Sequence, residues 1–452
     1  MNKDLTNGKP FSLIWRFVLP MLFSIIFQQM YNLSDSIIAG KFIGENALSA
    51  IGASYPVTML FLQVANGLNS GTAVIVSQLF GAKKMVRLKN AMSTALITAT
   101  TLSAVLTLTG VIACRPILSA LETPAGIMSD SALYLNIYFY GMFFVFIYNI
   151  CNGIFTALGD SKTPLYFLIF SSLLNIGLSV MFVTVIDFGL AGIAWATFVA
   201  QGVAMVLAFT VLMRRIHKMR IGVTTLGVKH RVPKFSWRTF RKLMLISIPA
   251  ILQLSFVSVG NIFVQSVINK MGESAIAGFS VGFRLSTFGI VSMGTAANGL
   301  ASFTAQNIGA GKPERVPQGF KAGSLLSLIF VAPFVAAYLI IPQFMVNIFI
   351  ENPETSSGAI AIATTFLRTC AIFYPVLAFK LVCDAILRGA GAMKTFMIAT
   401  FADLLLRVLF VYILTPFIGY YGLGIAFCIG WVIATIISLI FYKQGRWRRH
   451  AL

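Results

Sequence analysis

The chain alternates between long apolar runs and short polar segments, and the length of the runs decides what they predict. Twelve runs are long enough to cross about 30 Å of hydrocarbon as α-helices. In chain order, these predicted helices 1–12 cover residues 13–38, 54–80, 90–113, 131–156, 164–186, 190–213, 243–268, 280–308, 321–341, 359–388, 395–416 and 420–442. The pattern therefore predicts an all-α polytopic membrane protein with twelve transmembrane helices.

Composition supports the same class. Apolar residues make up 58% of the chain and charged residues 10%, whereas soluble domains carry about a quarter charged residues. The first run is too long for the apolar core of a signal peptide, so we interpret it as an uncleaved helix. The five cysteines lie in or beside apolar runs, and the three histidines lie in a loop or the tail. This pattern predicts neither a structural metal site nor a cofactor.

The two halves of the chain repeat each other. Gly44-Glu-Asn-Ala-Leu-Ser-Ala is echoed 228 residues later by Gly272-Glu-Ser-Ala-Ile-Ala-Gly, and Gln78-Leu-Phe-Gly-Ala is echoed at the same offset by Gln306-Asn-Ile-Gly-Ala. Six predicted helices fall in each half, so both halves enter the membrane from the same side. We expect two six-helix lobes related by a pseudo-two-fold axis along the membrane normal, an arrangement typical of transporters.

The net charge of +21 is distributed unevenly. Lys and Arg concentrate in alternate loops, in the tail 443–452 and above all in the segment 214–242, which holds ten of them and no acid. The positive-inside rule therefore predicts cytoplasmic termini and a basic membrane face, not a nucleic-acid partner. We divide the chain into a first lobe at 1–213, a basic connector at 214–242, a second lobe at 243–442 and a tail. Aromatic and basic residues alternate near the end of the connector, which fits either an interfacial segment on anionic lipid or a solvated loop.

Only three of the thirteen acids fall inside apolar runs, namely Asp35, Asp384 and Asp403. Asp35 has no Lys or Arg within one turn on its own helix. An acid that is buried without a cation can hold a proton near neutral pH, or it can be the anionic ligand of a Na⁺ ion. The alternative is a hydrated carboxylate at a helix end, or one bonded to a neighbouring helix. We prefer the functional interpretation, in which Asp35 binds a proton or Na⁺.

The two other acids have cations at helical spacing. Lys380, Asp384 and Arg388 share one face of predicted helix 10, and Asp403 and Arg407 are four residues apart on predicted helix 11. Opposite charges at this spacing stabilise each other's ionised forms. A structural ion-pair network is the leading interpretation, and the alternative is a gate or a site for an anionic group.

The interiors of the two halves differ in charge. The second half has five cations within its spans against two acids, a net of +3; these cations are Arg284, Arg368, Lys380, Arg388 and Arg407. In the first half, uncharged polar residues recur at helical spacing instead, at Asn149, Asn152, Asn175, Ser179 and Thr197. Together with Asp35 they can line one pocket, where amide and hydroxyl oxygens suit Na⁺ or a protonated carboxyl. Singly, each is more often a helix–helix contact.

At these residues the sequence resembles the multidrug and toxic compound extrusion (MATE) family of cation-coupled antiporters. The resemblance rests on Pro20, Tyr31-Asn-Leu-Ser-Asp35, the Gly44 and Gln78 motifs, the segment from Asn152 to Pro164, and Leu387-Arg-Gly-Ala-Gly, in this order and spacing. It implies two six-helix lobes around a cavity that alternates between the two membrane faces. It also implies export of amphiphilic, often cationic compounds, driven by inward H⁺ or Na⁺.

The resemblance also implies where coupling occurs. In the members that this chain resembles, the coupling acid falls on Asp35 and its partners fall on Asn149, Asn175 and Thr197. Such members often carry a second aspartate where this chain has Ser179, a departure that weakens a Na⁺ site more than a proton site. Another branch places its acid on helix 7, where this chain offers Gln253 and Asn261 among its polar residues. We therefore expect coupling in the first lobe and favour H⁺ over Na⁺.

We predict a secondary antiporter for amphiphilic substrates, acting as a monomer in the cytoplasmic membrane of a prokaryote and contacting membrane lipids. The second hypothesis is a flippase for lipid-linked precursors or other anionic substrates, for which the net +3 interior of the second half is the best argument. An intramembrane enzyme is disfavoured, because no Ser/His, His/Glu or metal-ligand constellation occurs in the sequence.

Overall fold

The computed structural model describes residues 4–219, 233–350 and 357–449, except for the side chains at positions 30–33, 35, 36, 40, 41, 45, 46, 48 and 449. Twelve helices in these ranges are long and apolar enough to cross a membrane, and no strand occurs there. The α-helices are α1 (Pro10–Ile38), α2 (Glu45–Gly81), α3 (Met85–Ala120), α4 (Ala125–Ala157), α5 (Lys162–Thr184), α6 (Gly189–Lys218), α7 (Trp237–Asn269), α8 (Glu273–Gly309), α9 (Val316–Ile340), α10 (Pro342–Asn347), α11 (Ser357–Gly389), α12 (Met393–Ile418) and α13 (Tyr421–Lys443). The all-α prediction is confirmed; α10 is a short addition, so predicted helices 10–12 are α11–α13.

Several helices begin before the apolar runs that predict them. The runs begin at residues 54 and 280, but α2 begins at Glu45 and α8 at Glu273. Each follows a glycine with positive φ, Gly44 at 115° and Gly272 at 93°, a conformation that side chains with a Cβ rarely adopt. Hydropathy underestimates the length of such helices, because it detects only the part that is apolar enough to lie in the hydrocarbon.

The chain packs into two compact units. The first contains Leu19–Ile251, and the second contains Leu5–Val18 and Leu252–Leu452. The first helix of each half, α1 or α7, is therefore divided between the units. Both divisions lie within two residues of a proline inside the helix, Pro20 or Pro249. Proline lacks the N–H that the helix ladder needs and its ring crowds the preceding turn, so both helices are weakened at corresponding points.

The second unit binds the segment that precedes α1. The Leu5 N–H donates to Gln306 Oε1 at 2.9 Å, and Asn307 Nδ2 donates to the Leu5 carbonyl at 3.2 Å. Lys312 Nζ donates to the Thr6 carbonyl at 3.2 Å. Because Leu5 and Thr6 are buried, these bonds satisfy backbone groups that water does not reach.

The first unit binds the segment that precedes α7 in a comparable way. Asn90 Nδ2 donates to the Pro233 carbonyl at 2.8 Å, and its Oδ1 accepts from Thr239 Oγ1 at 2.9 Å. The Ser236 N–H donates to Thr94 Oγ1 at 3.2 Å. Side-chain amides thus bind the segments that precede both divided helices.

Glycines at equivalent repeat positions allow close helix contact in both units. A Cβ on Gly71 would overlap Ser247, and a Cβ on Gly299 would overlap Val18. The two glycines are 228 residues apart, the offset of the sequence repeat. Small residues let membrane helices approach closely where no hydrophobic force drives them together. In the second unit, α8 and α11 likewise meet at Gly278 and Gly389, where added Cβ atoms would overlap backbone carbonyl oxygens.

Candidate functional site

A buried polar cluster lies between α5 and α6 in the first unit. Asn175 Nδ2 donates to Thr197 Oγ1 at 3.1 Å, so the structure joins two of the residues that the sequence predicts to share a pocket. Ser179 lies one turn after Asn175 on α5, and both side chains are fully buried. Neither Asn175 Oδ1 nor Ser179 Oγ has a hydrogen-bond partner within the described residues.

These unpaired oxygens give the cluster its chemical character. Leaving a buried acceptor without a donor costs roughly 1–3 kcal/mol. The cluster lacks a formal charge on α5 and α6, so a protonated carboxyl or a cation would satisfy its oxygens.

The end of α1 packs against both helices of this cluster. Ile38 at the end of α1 and Ala39 directly after it form one buried apolar cluster with Val183 of α5 and Ile193 of α6. Val183 lies one turn after Ser179, and Ile193 lies one turn before Thr197. One turn before Ile38 on α1, roughly 4.5 Å along the helix axis, is position 35.

Asp35 itself lies in α1, but its side chain is outside the described residues. The backbone of α1 continues into a π-helical turn at Ala39–Ile43, where the Gly44 N–H donates to the Ala39 carbonyl at 3.1 Å. Such turns occur frequently at functional sites. The packing of Ile38 and Ala39 places this stretch of α1 beside α5 and α6.

The polar residues of α4 behave differently. Asn149 is half-buried, and its amide donates to the Val145 carbonyl of its own helix at 2.8 Å, so the structure shows no direct bond from it to the α5–α6 cluster. Asn152, one turn later, has a buried Oδ1 without a hydrogen-bond partner in the described part of the chain.

A buried ion-pair network occupies the second unit. Lys380 Nζ lies 2.9 Å from Asp384 Oδ2 on the same helix α11, and 4.0 Å from Asp403 Oδ2 on α12. Arg407 pairs with Asp403 at 2.8 Å, again within one helix. Ser438 of α13 donates to the remaining oxygen of Asp384 at 2.7 Å. Both pairs form at the predicted spacing, and the network further connects α11, α12 and α13.

The other second-half residues do not join this network through hydrogen bonds. Arg388 donates to Asn298 of α8, and the Arg284 guanidinium lies over the Phe349 ring, 5.7 Å from its centroid. Gln253 and Asn261 lie half-buried on α7. The hydrogen bond of Arg388 and the ring contact of Arg284 are thus made with neutral groups, although the Asp384 carboxylate also attracts Arg388.

Asp160, between α4 and α5, has a role that the pattern of apolar runs does not predict. Asp160 Oδ1 accepts from the N–H groups of Lys162 and Thr163, both at 3.1 Å, and Oδ2 accepts from Thr163 Oγ1 at 2.6 Å and from Arg215 of α6. Burial raises the pKa of the Asp160 carboxyl, but the Thr163 hydrogen bonds and the Arg215 guanidinium outweigh burial and hold it below the ordinary value of 3.8. Asp160 lies two and three residues before Lys162 and Thr163, whose N–H groups are the first of α5. An acid at this spacing is the sequence signal that predicts such a helix cap.

The MatE family model matches residues 20–181 and 249–413, which together make up most of the chain and cover both halves of the repeat. The chain belongs to the MatE family. Members of the family are membrane transporters rather than enzymes, and the twelve apolar helices of this member agree with that class.

Known relatives of this MatE member match from about three quarters to nearly all of its length. It is 28% identical over 450 residues to the Bacillus subtilis protein named "Probable multidrug resistance protein YpnP", covering 98% of this chain and 97% of that one. It is 25% identical over 354 residues to the FAD transporter of Shewanella oneidensis, covering 74% of each. A solved MOP superfamily transporter from Pyrococcus furiosus has the same fold, with a TM-score of 0.89 at 23% identity, covering 98% of this chain and 97% of that chain.

Proposed function

We propose that this transporter exports amphiphilic, cationic compounds in exchange for H⁺ by alternating access, with the coupling site in its first half. Drug export is supported by the relationship to a multidrug resistance protein over nearly the full length of both chains. The observation that carries the coupling site is the α5–α6 cluster, where Asn175 Oδ1 and Ser179 Oγ are buried without hydrogen-bond partners in the described part of the chain.

The chemistry of this cluster favours a titrating carboxyl as the missing component. A protonated carboxyl can donate one hydrogen bond to an amide oxygen, and it loses that donor when it releases the proton. Asp35 is the acid whose backbone position, one turn before Ile38, supports a place beside the cluster. Protonation of Asp35 would then favour one conformation over the other, and the substrate would act on the same equilibrium in the opposite direction.

Proton exchange is favoured over Na⁺ exchange because the α5 and α6 side chains of the cluster carry no formal charge. Asn175, Ser179 and Thr197 supply neutral oxygens, and Asp35 would be the single anion. One pH unit across the membrane is worth about 1.4 kcal/mol. A one-for-one exchange would therefore sustain roughly a tenfold gradient of a monovalent cationic drug.

The test is substrate efflux in everted vesicles with a pH gradient and a Na⁺ gradient imposed separately. Asp35→Asn should abolish efflux driven by the pH gradient while the protein remains folded. The matched control is Asp187→Asn, the same chemical change at an exposed turn between α5 and α6. Normal gradient-driven efflux by Asp35→Asn would contradict the proposed site, and efflux driven by Na⁺ alone would contradict H⁺ as the ion.

A second candidate function is transport of an anionic substrate, which would also accommodate the flippase hypothesis. It is favoured by the cations Arg284 and Arg388, which are held by a ring and an amide rather than by acids, and by the relationship to a FAD transporter. Charge reversal at both positions should abolish export of a flavin nucleotide if this function is correct. Retained export of cationic dyes by the same variant would favour the antiporter.

A further inference from the structure

A polar cavity of about 370 Å³ lies where α13 ends beside the start of α9 in the second unit. Pro317 of α9 forms one wall, and the last residues of α13 and the following tail form the others. It is separate from the ion-pair network and from the α5–α6 cluster. Lys443 and Arg448 are the charged residues among its lining, and none of its described lining residues is acidic.

The chain builds this cavity by a sharp turn after α13. Gly445 has φ of 66°, in the left-handed region that glycine adopts without strain. The turn brings Trp447 back onto α13, where its Nε1 donates to the Tyr442 carbonyl at 3.1 Å and only 2% of the residue stays exposed. Tyr442 stacks on Trp447 and on Phe320 of α9. These contacts hold the turn and α13 against the start of α9.

The charges of the cavity remain available to a ligand. Lys443 and Arg448 are both exposed, and neither forms an ion pair within the described residues. The Arg448 guanidinium lies 5.0 Å from the Trp447 ring centroid, a contact that orients the side chain without neutralising it.

The helix ends at the cavity also suit an anion. The negative end of α13 is weakened, because its last carbonyls accept hydrogen bonds from the N–H groups of Gln444 and Gly445 and from the Trp447 indole. The positive end of α9 begins beside Pro317, and its dipole adds to the attraction from the two cations.

We propose that this cavity binds the phosphate of an anionic phospholipid headgroup, with Lys443 and Arg448 as its ligands. A lipid is the source of the phosphate that fits this location, since α13, which is long and apolar enough to cross a membrane, ends here, and Tyr and Trp rings are typical of the membrane interface. Basic pockets between membrane helices at such a boundary bind anionic headgroups. The acyl chains would lie along the apolar surface of α9 and α13.

Native mass spectrometry of the purified full-length protein tests the proposal, with phosphatidylglycerol compared with phosphatidylcholine. Wild type should retain phosphatidylglycerol at least fivefold better, and the double variant Lys443→Gln/Arg448→Gln should lose that preference. The matched control is Lys321→Gln/Lys394→Gln, which removes two exposed charges from the second turn of α9 and the first turn of α12. The control should retain the preference, and an equal loss in both double variants would overturn the proposal.

Two further measurements test the source of the phosphate and the place where the lipid binds. Glycerol 3-phosphate should not displace the lipid at equal concentration; displacement would identify a free-phosphate site and overturn the lipid assignment. Hydrogen exchange of residues 442–448 should slow about threefold when phosphatidylglycerol is added to wild type. If exchange of these residues is unchanged while lipid is bound, the lipid occupies another site and the proposal fails. Because this measurement uses wild type alone, it tests the proposal even if the variants do not fold.

Discussion

Asp160→Asn should destabilise the protein strongly although it lies in a short turn between two helices. The substitution keeps the shape of the side chain and one oxygen, so the N–H groups of Lys162 and Thr163 retain an acceptor. At the other oxygen it places an NH₂ group opposite the Arg215 guanidinium. Two donors then face each other in a position where Asp160 is 6% exposed.

The magnitude follows from the contacts. Removing one partner of a buried ion pair costs about 3–5 kcal/mol. The Arg215 side chain is 23% exposed, so water recovers part of this loss, and we expect about 2–3 kcal/mol in the free energy of unfolding. Arg215→Gln should cost less, because Asp160 would keep its three bonds to Lys162 and Thr163. The double variant should cost less than the sum of the two single variants, by about 1–2 kcal/mol.

The pH dependence has a definite sign. The folded-state pKa of Asp160 lies below its ordinary value of 3.8, so its contribution to stability is complete above that value and is lost as the pH falls through the folded-state pKa. The difference between wild type and Asp160→Asn should therefore be constant from pH 5 to pH 8 and shrink only in stronger acid.

The assay is equilibrium unfolding of the purified protein in detergent, followed by intrinsic fluorescence across this pH range. Asp130→Asn, the same change at an exposed position of α4, is the matched control and should stay within about 0.5 kcal/mol of wild type. The reasoning would be refuted if both variants unfolded alike, or if the difference disappeared already near pH 6.

Three further predictions follow from the helix contacts. Gly389→Ala should lower the free energy of unfolding by roughly 1–3 kcal/mol, since its Cβ would overlap the Ala301 carbonyl oxygen. Gly177→Ala, where a Cβ meets open space, is the control and should leave the free energy of unfolding unchanged or raise it. Equal effects of the two substitutions would contradict the contact. Ser179→Asp should add a Na⁺-driven component to vesicle efflux by supplying a second carboxylate, and an unchanged ion requirement would contradict the proposed site. Asp403→Asn should cost about 3 kcal/mol in unfolding yet leave efflux per folded molecule unchanged, whereas lost efflux would favour a gate.

The ion pairs of the second half could be predicted from sequence because helical spacing alone determines them. Residues four apart on one helix are neighbours in any fold, and Lys380–Asp384 and Asp403–Arg407 both form. The link from Lys380 to Asp403 and the bond from Ser438 to Asp384 could not be predicted, since they depend on how α11, α12 and α13 pack. The same spacing also misleads: Arg388 lies four residues after Asp384, but its guanidinium donates to Asn298 on α8.

The turn at Asp160 was missed for a related reason. A search for acids inside apolar runs selects groups by the cost of placing them in hydrocarbon, and Asp160 lies outside these runs. Its role depends on Arg215, 55 residues later at the end of α6, a pairing that no local pattern encodes. The division of α1 and α7 between the two units was equally hidden, because hydropathy describes how apolar a helix is and not what it packs against; only Pro20 and Pro249 marked the points of division.

The repeat gives both halves the same architecture and different chemistry, and one equivalent pair of positions shows why this matters. Asn175 and Arg407 lie on predicted helices 5 and 11, the fifth helix of each half. Arg407 is bound to Asp403 one turn away, so this acid of the second half has a cation as its partner. Asn175 leaves its Oδ1 without a described partner, beside a stretch of α1 that carries an acid. Coupling requires a group whose charge changes during the cycle. The neutral oxygens at Asn175 and Ser179 leave room for such a group, whereas the second half carries a fixed ion pair at the equivalent position. This difference is the argument for the coupling site proposed in the first half, where the symmetry of the repeat is broken.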